Sequence, residues 1–286
     1  MPSVRPAAVA GMFYPGVPRA LEASVRALLD NAPGPAADGT DANANWPKAL
    51  IVPHAGYIYS GPIAASAYAR LIPGRSRIRR VVMLGPVHRV PIRGLALPGV
   101  DSFVTPLGAV AVDAEAARRL HAMRQVRESD AAHSLEHSLE VQLPFLQTIL
   151  DEFTLVPLLV GDATPMEVAE VIERMWGGPE TLIVVSSDLS HYHPYDEASE
   201  IDRSTVDDIL ALADTLDHEQ ACGATPINGF TICARRHGLT AELIDLRNSG
   251  DTAGDKSRVV GYSAFAFAPN EPERAATRHL EETVDA

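Results

Sequence analysis

The sequence is poor in cysteine, in basic residues and in long apolar runs. It holds only two cysteines, Cys222 and Cys233, among 286 residues, which is too few for a disulfide framework and fits a reducing compartment. Lys and Arg number 24 against 37 Asp and Glu, a formal net charge of −13, so a phosphate backbone would be repelled and we expect no nucleic-acid partner. Nowhere do about 18 apolar residues follow one another, so we expect no membrane span. These absences together predict a cytoplasmic protein.

What the sequence does hold is enough apolar residues for a large core, 46% of the chain. Strand-like apolar runs alternate with helical patterns, and this predicts an α/β fold: a single domain with a mostly parallel central sheet flanked by helices. The core is expected over about residues 4–268. Small polar residues at 31–47 predict a surface loop, and 269–286 a frayed tail.

Residues 49–61, ALIVPHAGYIYSG, combine a buried strand, a histidine and the approach to a helix. The apolar run delivers His54 to a glycine-containing loop. A helix is expected to begin at Pro62, with Ser60 or Gly61 as its cap. Because ligands bind beyond the carboxyl ends of strands in open α/β sheets, His54 stands where chemistry is expected.

Other polar side chains follow strands in the same way. His88 ends VVMLGPVH, and Asp188 and His191 follow TLIVVSS. Imidazole nitrogen binds iron, copper and zinc, and an aspartate near a histidine can form an acid–base pair with it. For each histidine alone, a hydrogen bond to loop backbone is the alternative, and Asp188 could instead cap a turn.

The two cysteines differ in their predicted surroundings. Cys222 precedes a helix that is expected to start with Thr225 as its cap and Pro226 as its first residue. The helix dipole would lower the thiol pKa of Cys222 below about 8.5 and make it the more reactive cysteine. Cys233 lies in the middle of that helix and is interpreted as a small buried apolar residue.

Residues 133–150, HSLEHSLEVQLPFLQTIL, predict a helix whose leucine stripe packs on the sheet and which Pro144 kinks or restarts. His133, His137 and Glu140 fall on another stripe of this helix. Their spacing differs from the zinc-binding HExxH pattern. We therefore place His137 and Glu140 beside the metal ligands or facing the substrate, and His133 on a solvated face.

Eight motifs follow one another over about residues 4–268: VRPAAVAGMFYPG, PHAGYIYSG, LGPVHRVP, TPLGAVAVD, EHSLEVQLPFL, PLLVGD, VVSSDLSHY and ACGATPI. In this order they resemble the Memo family, called AmmeMemoRadiSam system protein B in prokaryotes. The fold of that family is similar to that of LigB-type class III extradiol dioxygenases, non-haem iron enzymes that open catechol rings. The resemblance therefore implies a class III extradiol dioxygenase-like fold.

The resemblance also implies a set of site residues. His54, His88 and Cys222 would hold the metal, and His191 would be the catalytic histidine with Asp188 beside it. The thiol stands where the dioxygenases have a glutamate, which favours iron(II), with copper or zinc as alternatives. By the same resemblance, an AMMECR-type protein and a radical-SAM protein are expected partners.

The sequence thus predicts a metal-binding protein that acts as a non-haem metal-dependent oxidoreductase, dioxygenase-like, on a small molecule. One alternative is a zinc hydrolase, in which Asp188 or His191 activates water. Another is a partner-binding module with a vestigial metal pocket. The identity of the bound metal separates the first two, and partner binding after metal removal separates the third.

Overall fold

The computed structural model describes residues 3–33 and 46–269, and this part of the chain folds around a mixed sheet of nine strands. The strands are β1 (Val4–Arg5), β2 (Ala49–Val52), β3 (Arg80–Pro86), β4 (Leu95–Leu97), β5 (Ser102–Thr105), β6 (Gly108–Ala111), β7 (Val126–Glu128), β8 (Thr154–Val160), β9 (Thr181–Ser186), β10 (His191–His193), β11 (Leu239–Asn248) and β12 (Val259–Pro269). The helices are α1 (Pro18–Asp30), α2 (Tyr57–Tyr68), α3 (Ala114–His121), α4 (Asp130–Ser134), α5 (Leu143–Ile149), α6 (Pro165–Met175), α7 (Tyr195–Leu210), α8 (Ala224–Arg236) and α9 (Ser249–Thr252).

The central sheet has the order β10-β12-β2-β9-β3-β8-β4-β7, and β11 pairs with β12. Within this order, the three successive pairs β2-β9, β9-β3 and β3-β8 are parallel. Antiparallel pairs lie on both sides of them, where β12 meets β2, β10 and β11 and where β4 meets β8. The predicted single α/β domain is confirmed, and its parallel pairing is concentrated in the four central strands. A small separate sheet has the order β1-β5-β6.

Both faces of the central strands are buried. In β2, Leu50 and Val52 belong to one hydrophobic core, whereas Ala49 and Ile51 belong to the core on the opposite face. Such strands read as continuous apolar runs because side chains alternate between two covered faces. This is why the sequence pattern located β2, β3, β8 and β9.

The carboxyl ends of three parallel strands lie at one edge of the sheet and position the candidate site. The register pairs Val52 of β2 with Ser186 of β9, and β3 runs parallel to β9 on its other side. The loops that follow these strands carry His54, His88 and Asp188. The topology alone therefore brings three candidate residues together.

Two predicted helix starts are wrong by a few residues. The helix after β2 begins at Tyr57 with Gly56 as its cap, and Pro62 lies inside it. The Tyr57 amide donates to the carbonyl of Phe13 at 2.8 Å, so the N-terminal segment satisfies a helix-start donor one turn earlier than predicted.

The helix that contains Cys233 begins at Ala224, and its cap is Gly223 rather than Thr225. The amide of Gly223 donates to Ser187 Oγ at 2.9 Å. This contact fixes the start of α8 against the loop after β9 and leaves Cys222 directly before the cap.

The single helix predicted over residues 133–150 is interrupted. α4 ends at Ser134, a 3-10 turn spans Glu140–Gln142, and α5 restarts with Pro144 in its first turn, as predicted for that proline. The Arg5 side chain donates to the carbonyls of His133 and Glu136. The amide of His137, which would continue the helix by donating to the His133 carbonyl, donates to Glu136 Oε1 at 2.8 Å instead, and the guanidinium takes up the carbonyls, which ends the helix.

Two further predictions fall largely outside the described residues: the loop at 31–47, of which residues 34–45 are not described, and the tail at 269–286, of which only Pro269, the end of β12, is described. Within residues 3–33 and 46–269, no helix combines the length and the apolar character needed to cross a bilayer.

Candidate metal centre

Two histidines and a cysteine meet at the carboxyl edge of the sheet. His54, His88 and Cys222 each offer a ligand atom, and these atoms lie within 4.8 Å of one another. Cys222 Sγ is 3.3 Å from His54 Nε2, and the rings of His54 and His88 have their centroids 5.2 Å apart. The three residues come from the loops after β2 and β3 and from the start of α8.

Hydrogen bonds determine which nitrogen of His54 carries the proton. Its Nδ1 is 3.0 Å from Ser186 Oγ. Ser186 donates its own proton to the Ser138 carbonyl at 2.6 Å and accepts from Gln142 Nε2 at 2.8 Å, so Nδ1 of His54 must be the donor to Ser186. Burial lowers the pKa of His54 to about 3. The ring is therefore neutral, and its Nε2 lone pair faces the cluster.

His88 is held in the same way by a carboxylate. Its Nδ1 lies 2.9 Å from Glu136 Oε1, and its amide donates to Oε2 at 2.6 Å. Burial alone would raise the pKa of Glu136, but the hydrogen bond and charge of His88 and the Ser138 amide lower it to about 2. An ionised carboxylate only accepts, so Nδ1 of His88 carries the proton of this hydrogen bond, and Nε2 is the nitrogen that remains for the cluster. Carboxylate partners of this kind orient metal-binding histidines.

A second group of potential ligands consists of His88, Glu136 and His137, whose ligand atoms also lie within 4.8 Å of one another. Glu136 Oε1 already accepts from His88 Nδ1 and from the amides of His137 and Ser138, at 2.8 and 2.9 Å for the amides. We therefore interpret this group as the hydrogen-bonded support of His88 rather than as another metal position.

His137 lies beside the two candidate ligands. Its ring centroid is 4.8 Å from that of His88, 5.4 Å from that of His54 and 4.8 Å from that of Phe13. Burial, followed by the proximity of His54, lowers the pKa of His137 to about 4. It is a neutral imidazole beside the two candidate ligands.

Cys222 is protonated in the metal-free protein. Burial, followed by the charge of Asp188, raises the pKa of its thiol to about 12, so the predicted lowering is wrong for this state. The start of α8 does not offset these two effects. With the Nε2 lone pair of His54 at 3.3 Å, the thiol acts as a hydrogen-bond donor. A cation at the cluster would have to displace its proton.

Cys233 lies on the core-facing side of α8 and is fully buried, as interpreted from the sequence. Its thiol donates to the carbonyl of Ala169 at 3.4 Å. Burial raises the pKa of this thiol to about 12 as well, so thiol acidity does not distinguish the two cysteines in the metal-free protein.

Asp188 and His191 border the same cluster. Asp188 Oδ1 accepts from the amide of His54 at 2.7 Å, and Oδ2 lies 3.9 Å from His54 Nε2. Burial raises the pKa of Asp188. His191 is half-buried at the start of β10, the strand that follows Asp188, and a positive charge on its ring would lower the pKa of both His54 and Asp188. A carboxyl group and an imidazole thus stand next to the candidate ligands.

Glu140 does not take the place expected for it beside the metal or the substrate. Its carboxylate binds Arg5 Nη1 at 2.7 Å and accepts from Tyr14 Oη at 2.6 Å and from the amides of Ala8 and Val9 at 2.7 and 3.0 Å. These four donors occupy both oxygens. The residue anchors the N-terminal segment because the helix that would have aligned it with His137 is interrupted.

His133 is buried rather than on a solvated face, with 2% of its surface exposed. Its Nε2 lies 3.0 Å from the carbonyl of Ala96, and its ring packs edge-on against Phe103. Burial lowers its pKa to about 4. It is a neutral core histidine outside the cluster.

The residues that orient the ligands were not predicted from the sequence; they are Glu136, Ser186 and Gln142. For Glu136 a signal was available, since an acidic residue directly precedes a histidine in EHSLEV. Ser186 ends an apolar strand, where a hydroxyl is out of character with the run. Gln142 offers no signal in the sequence.

The chain matches the family model described as Memo-like protein over residues 5–266. A MEMO1 family protein of Archaeoglobus fulgidus is 38% identical, with 91% of this chain and 97% of the relative covered. MEMO1 family proteins of Methanopyrus kandleri and Methanothermobacter thermautotrophicus are each 35% identical, with 92% and 91% of this chain and 98% and 99% of the relatives covered. All candidate ligands lie within the matched range.

Proposed function

Because the chain belongs to the Memo family, and because two imidazoles and a thiol converge at one sheet edge, we propose that it is a non-haem metal-dependent oxidoreductase acting on a small molecule. The proposed ligands are His54 Nε2, His88 Nε2 and Cys222 Sγ. The observation that carries the proposal is the pair of tautomers: the proton on each Nδ1 is directed away from the cluster, to Ser186 and to Glu136.

The donor set suits a borderline to soft ion. Two nitrogens and one sulfur favour iron(II), copper or zinc over magnesium or calcium, which prefer oxygen ligands. When bound, such an ion supplies Lewis acidity and, if redox-active, electron transfer at positions that three protein ligands leave open. We propose iron(II) as the native ion, with copper or zinc as alternatives, and a reaction of dioxygenase-like type.

Two residues that border the cluster, Asp188 and His191, are proposed to move protons. Asp188 Oδ2 makes no hydrogen bond within the described residues, so it can accept a proton from a substrate hydroxyl. His191, which is half-buried and so reachable by solvent, can exchange that proton with water. Glu136 and Ser186 keep the two imidazoles oriented while this happens.

A zinc hydrolase is the second candidate. The observation that favours it is the buried carboxylate of Asp188, 3.9 Å from His54 Nε2, which is placed to act as a general base on a water at the cluster. Three protein ligands with an open fourth position are a common arrangement in catalytic zinc sites. The two candidates differ in the ion that the protein takes up in cells.

Metal analysis of protein purified without affinity-resin metal or chelator tests the proposal. We expect about one equivalent of ion in the wild type, near-complete loss in Cys222→Ala, and no change in Cys233→Ala, the matched control. Iron or copper would support the oxidoreductase, and zinc alone the hydrolase. Equal metal content in the two cysteine variants would contradict both, provided that circular dichroism shows both to be folded.

A further inference from the structure

The strand β11 has a neighbouring strand on one side only. Its ten residues pair with β12, and no other strand within residues 3–33 and 46–269 pairs with it. Four of its apolar side chains pack on the two cores but are only partly buried: Ala241, Leu243, Ile244 and Leu246. An open edge strand exposes backbone donors and acceptors that can pair with a further strand.

The bonds of β12 show which backbone groups of β11 face the open edge. Away from β11, the amide and carbonyl of Gly261 bond to residues 189–190, and the Phe267 carbonyl accepts from the Lys48 amide. Backbone groups of successive residues in an antiparallel strand point alternately to its two sides. Every second residue from 261 to 267 therefore directs its groups away from β11, and the partners of these residues direct theirs to the open edge: Ala241, Leu243, Leu246 and Asn248.

A second, antiparallel copy of β11 fits this edge in a register centred on a β-bulge. Ile244 has no partner in β12, so the outward-facing groups of Leu243 and Leu246 are three residues apart. If Leu243 lies opposite Leu246 of the second copy, two-fold symmetry places Leu246 opposite the second copy's Leu243. The extra residue of each strand then lies at the centre, and the two spacings match because the strands are identical.

The same register brings opposite charges together. Leu243 and Leu246 pack on the same core, so the alternation of a strand places their neighbours Glu242 and Arg247 together on the other face. Where Leu243 meets Leu246 of the second copy, Glu242 meets Arg247, and symmetry repeats this ion pair. Edge charges commonly prevent strand pairing, but opposite charges directly across from each other stabilise it.

Both charged side chains can reach a second copy. The Glu242 and Arg247 side chains are 59% and 35% exposed. Glu242 binds Arg70 at 3.0 Å, and Arg247 binds Asp245 of its own strand. A carboxylate has two acceptor oxygens and a guanidinium has five N–H donors, so each can keep its present contact and add another. An unrelated strand would supply the backbone groups but not both complementary charges.

We propose that β11 is a dimer interface, at which a second copy of this chain extends the central sheet across a two-fold axis with Leu243 opposite Leu246 and Glu242 opposite Arg247. The interface does not depend on the proposed metal chemistry, because β11 carries none of the candidate ligands.

The test is sedimentation velocity of the full chain at concentrations up to about 100 µM, which detects micromolar dissociation constants. The wild type should sediment as a dimer. Glu242→Arg and Arg247→Glu each place like charges opposite each other twice, and each should weaken dimerisation at least about tenfold. In an equimolar mixture of these two variants, a heterodimer regains both ion pairs, so the mixture should recover the wild-type dimer.

Glu22→Arg and Arg26→Glu are the matched controls, because they reverse the same charges in an exposed ion pair of α1. Both should dimerise like the wild type. A monomeric wild type, which would leave the edge free or open to another protein's strand, would overturn the proposal. So would single β11 variants that dimerise like the wild type, a mixture that stays monomeric although circular dichroism shows both variants to be folded, or equal loss of the dimer in the controls.

Discussion

At the scale of single residues, the partners of the ligands determine what the cluster can bind. Ser186 and Glu136 each accept a hydrogen bond from the Nδ1–H of a histidine and so direct its Nε2 to the cluster. Without them, either ring could turn or adopt the other tautomer and direct an N–H group at the cluster. The thiol of Cys222 is then the one proposed ligand that holds a proton on its binding atom.

Zinc binding to the metal-free protein at pH 7 should release about one proton that depends on Cys222. Burial raises the pKa of this thiol to about 12, whereas that of His54 is lowered to about 3, so the histidine is already neutral. Affinity should rise about tenfold per pH unit for this reason. Calorimetry in two buffers of different ionisation enthalpy measures the release.

Cys222→Ala should lose this proton release, and Cys233→Ala should retain it. An unchanged release in Cys222→Ala would show that the thiol is not a ligand.

The candidate ligands could be predicted from the sequence because each follows a strand or precedes a helix. The ends of buried parallel strands are recognisable as apolar runs that stop at Gly or Pro. The roles of Ser186 and Gln142 could not be predicted, since they arise only when β9 and the turn after α4 meet. The thiol pKa of Cys222 was predicted in the wrong direction because helix position is visible in the sequence and burial beside Asp188 is not.

At the scale of elements, the N-terminal segment and residues 133–140 support each other. Arg5 forms a buried ion pair with Glu140 and also donates to the carbonyls of His133 and Glu136. The single helix predicted for this region is interrupted for the same reason: contacts between residues 128 to 135 positions apart in sequence replace helical backbone hydrogen bonds. The segment that presents Glu136 and His137 therefore depends on Arg5.

Arg5→Met should lower the free energy of unfolding by about 3–5 kcal/mol, because it leaves the carboxylate of Glu140 buried without its cation. Metal affinity should fall as well, since Glu136 would lose part of its support. Urea denaturation and metal titration measure the two effects.

Arg26→Met is the control, because its pair with Glu22 is exposed and such pairs contribute about 0–1 kcal/mol. If both arginine variants lost the same small amount, the ion pair of Arg5 would not be an anchor.

At the scale of the whole molecule, the topology determines the arrangement of the sheet, and the burial of histidines determines how stability depends on pH. The parallel centre of the sheet could be predicted because its strands are apolar on both faces. The antiparallel pairing of β12 with β2 and of β4 with β8 could not, because strand direction depends on the path of the connections. Folding also encloses His54, His133 and His137 as neutral rings, with pKa values lowered to about 3, 4 and 4.

The metal-free protein should lose stability as the pH falls from 6.5 towards 4. Below about pH 6.5 the three histidines bind protons in the unfolded chain but stay neutral in the folded protein, so unfolding becomes more favourable. Asp202, whose pKa burial raises to about 6, and Asp188, whose pKa burial also raises, act in the opposite direction, but the three histidines outnumber these two carboxyl groups. At pH 5, His133 alone should account for about 2 kcal/mol.

Urea denaturation at pH 7 and pH 5 should therefore show a smaller loss in His133→Gln than in the wild type. Identical losses would mean that the ring is protonated inside the fold.

The atoms that coordinate a bound ion show whether His54, His88 and Cys222 form one metal centre. X-ray absorption on the zinc-loaded protein should show one sulfur at about 2.3 Å and two imidazole nitrogens at about 2.0–2.1 Å, with the remaining donors light atoms. The sulfur should disappear in Cys222→Ala and persist in Cys233→Ala. A shell of nitrogen and oxygen alone in the wild type would contradict the assignment of His54, His88 and Cys222 as one metal centre.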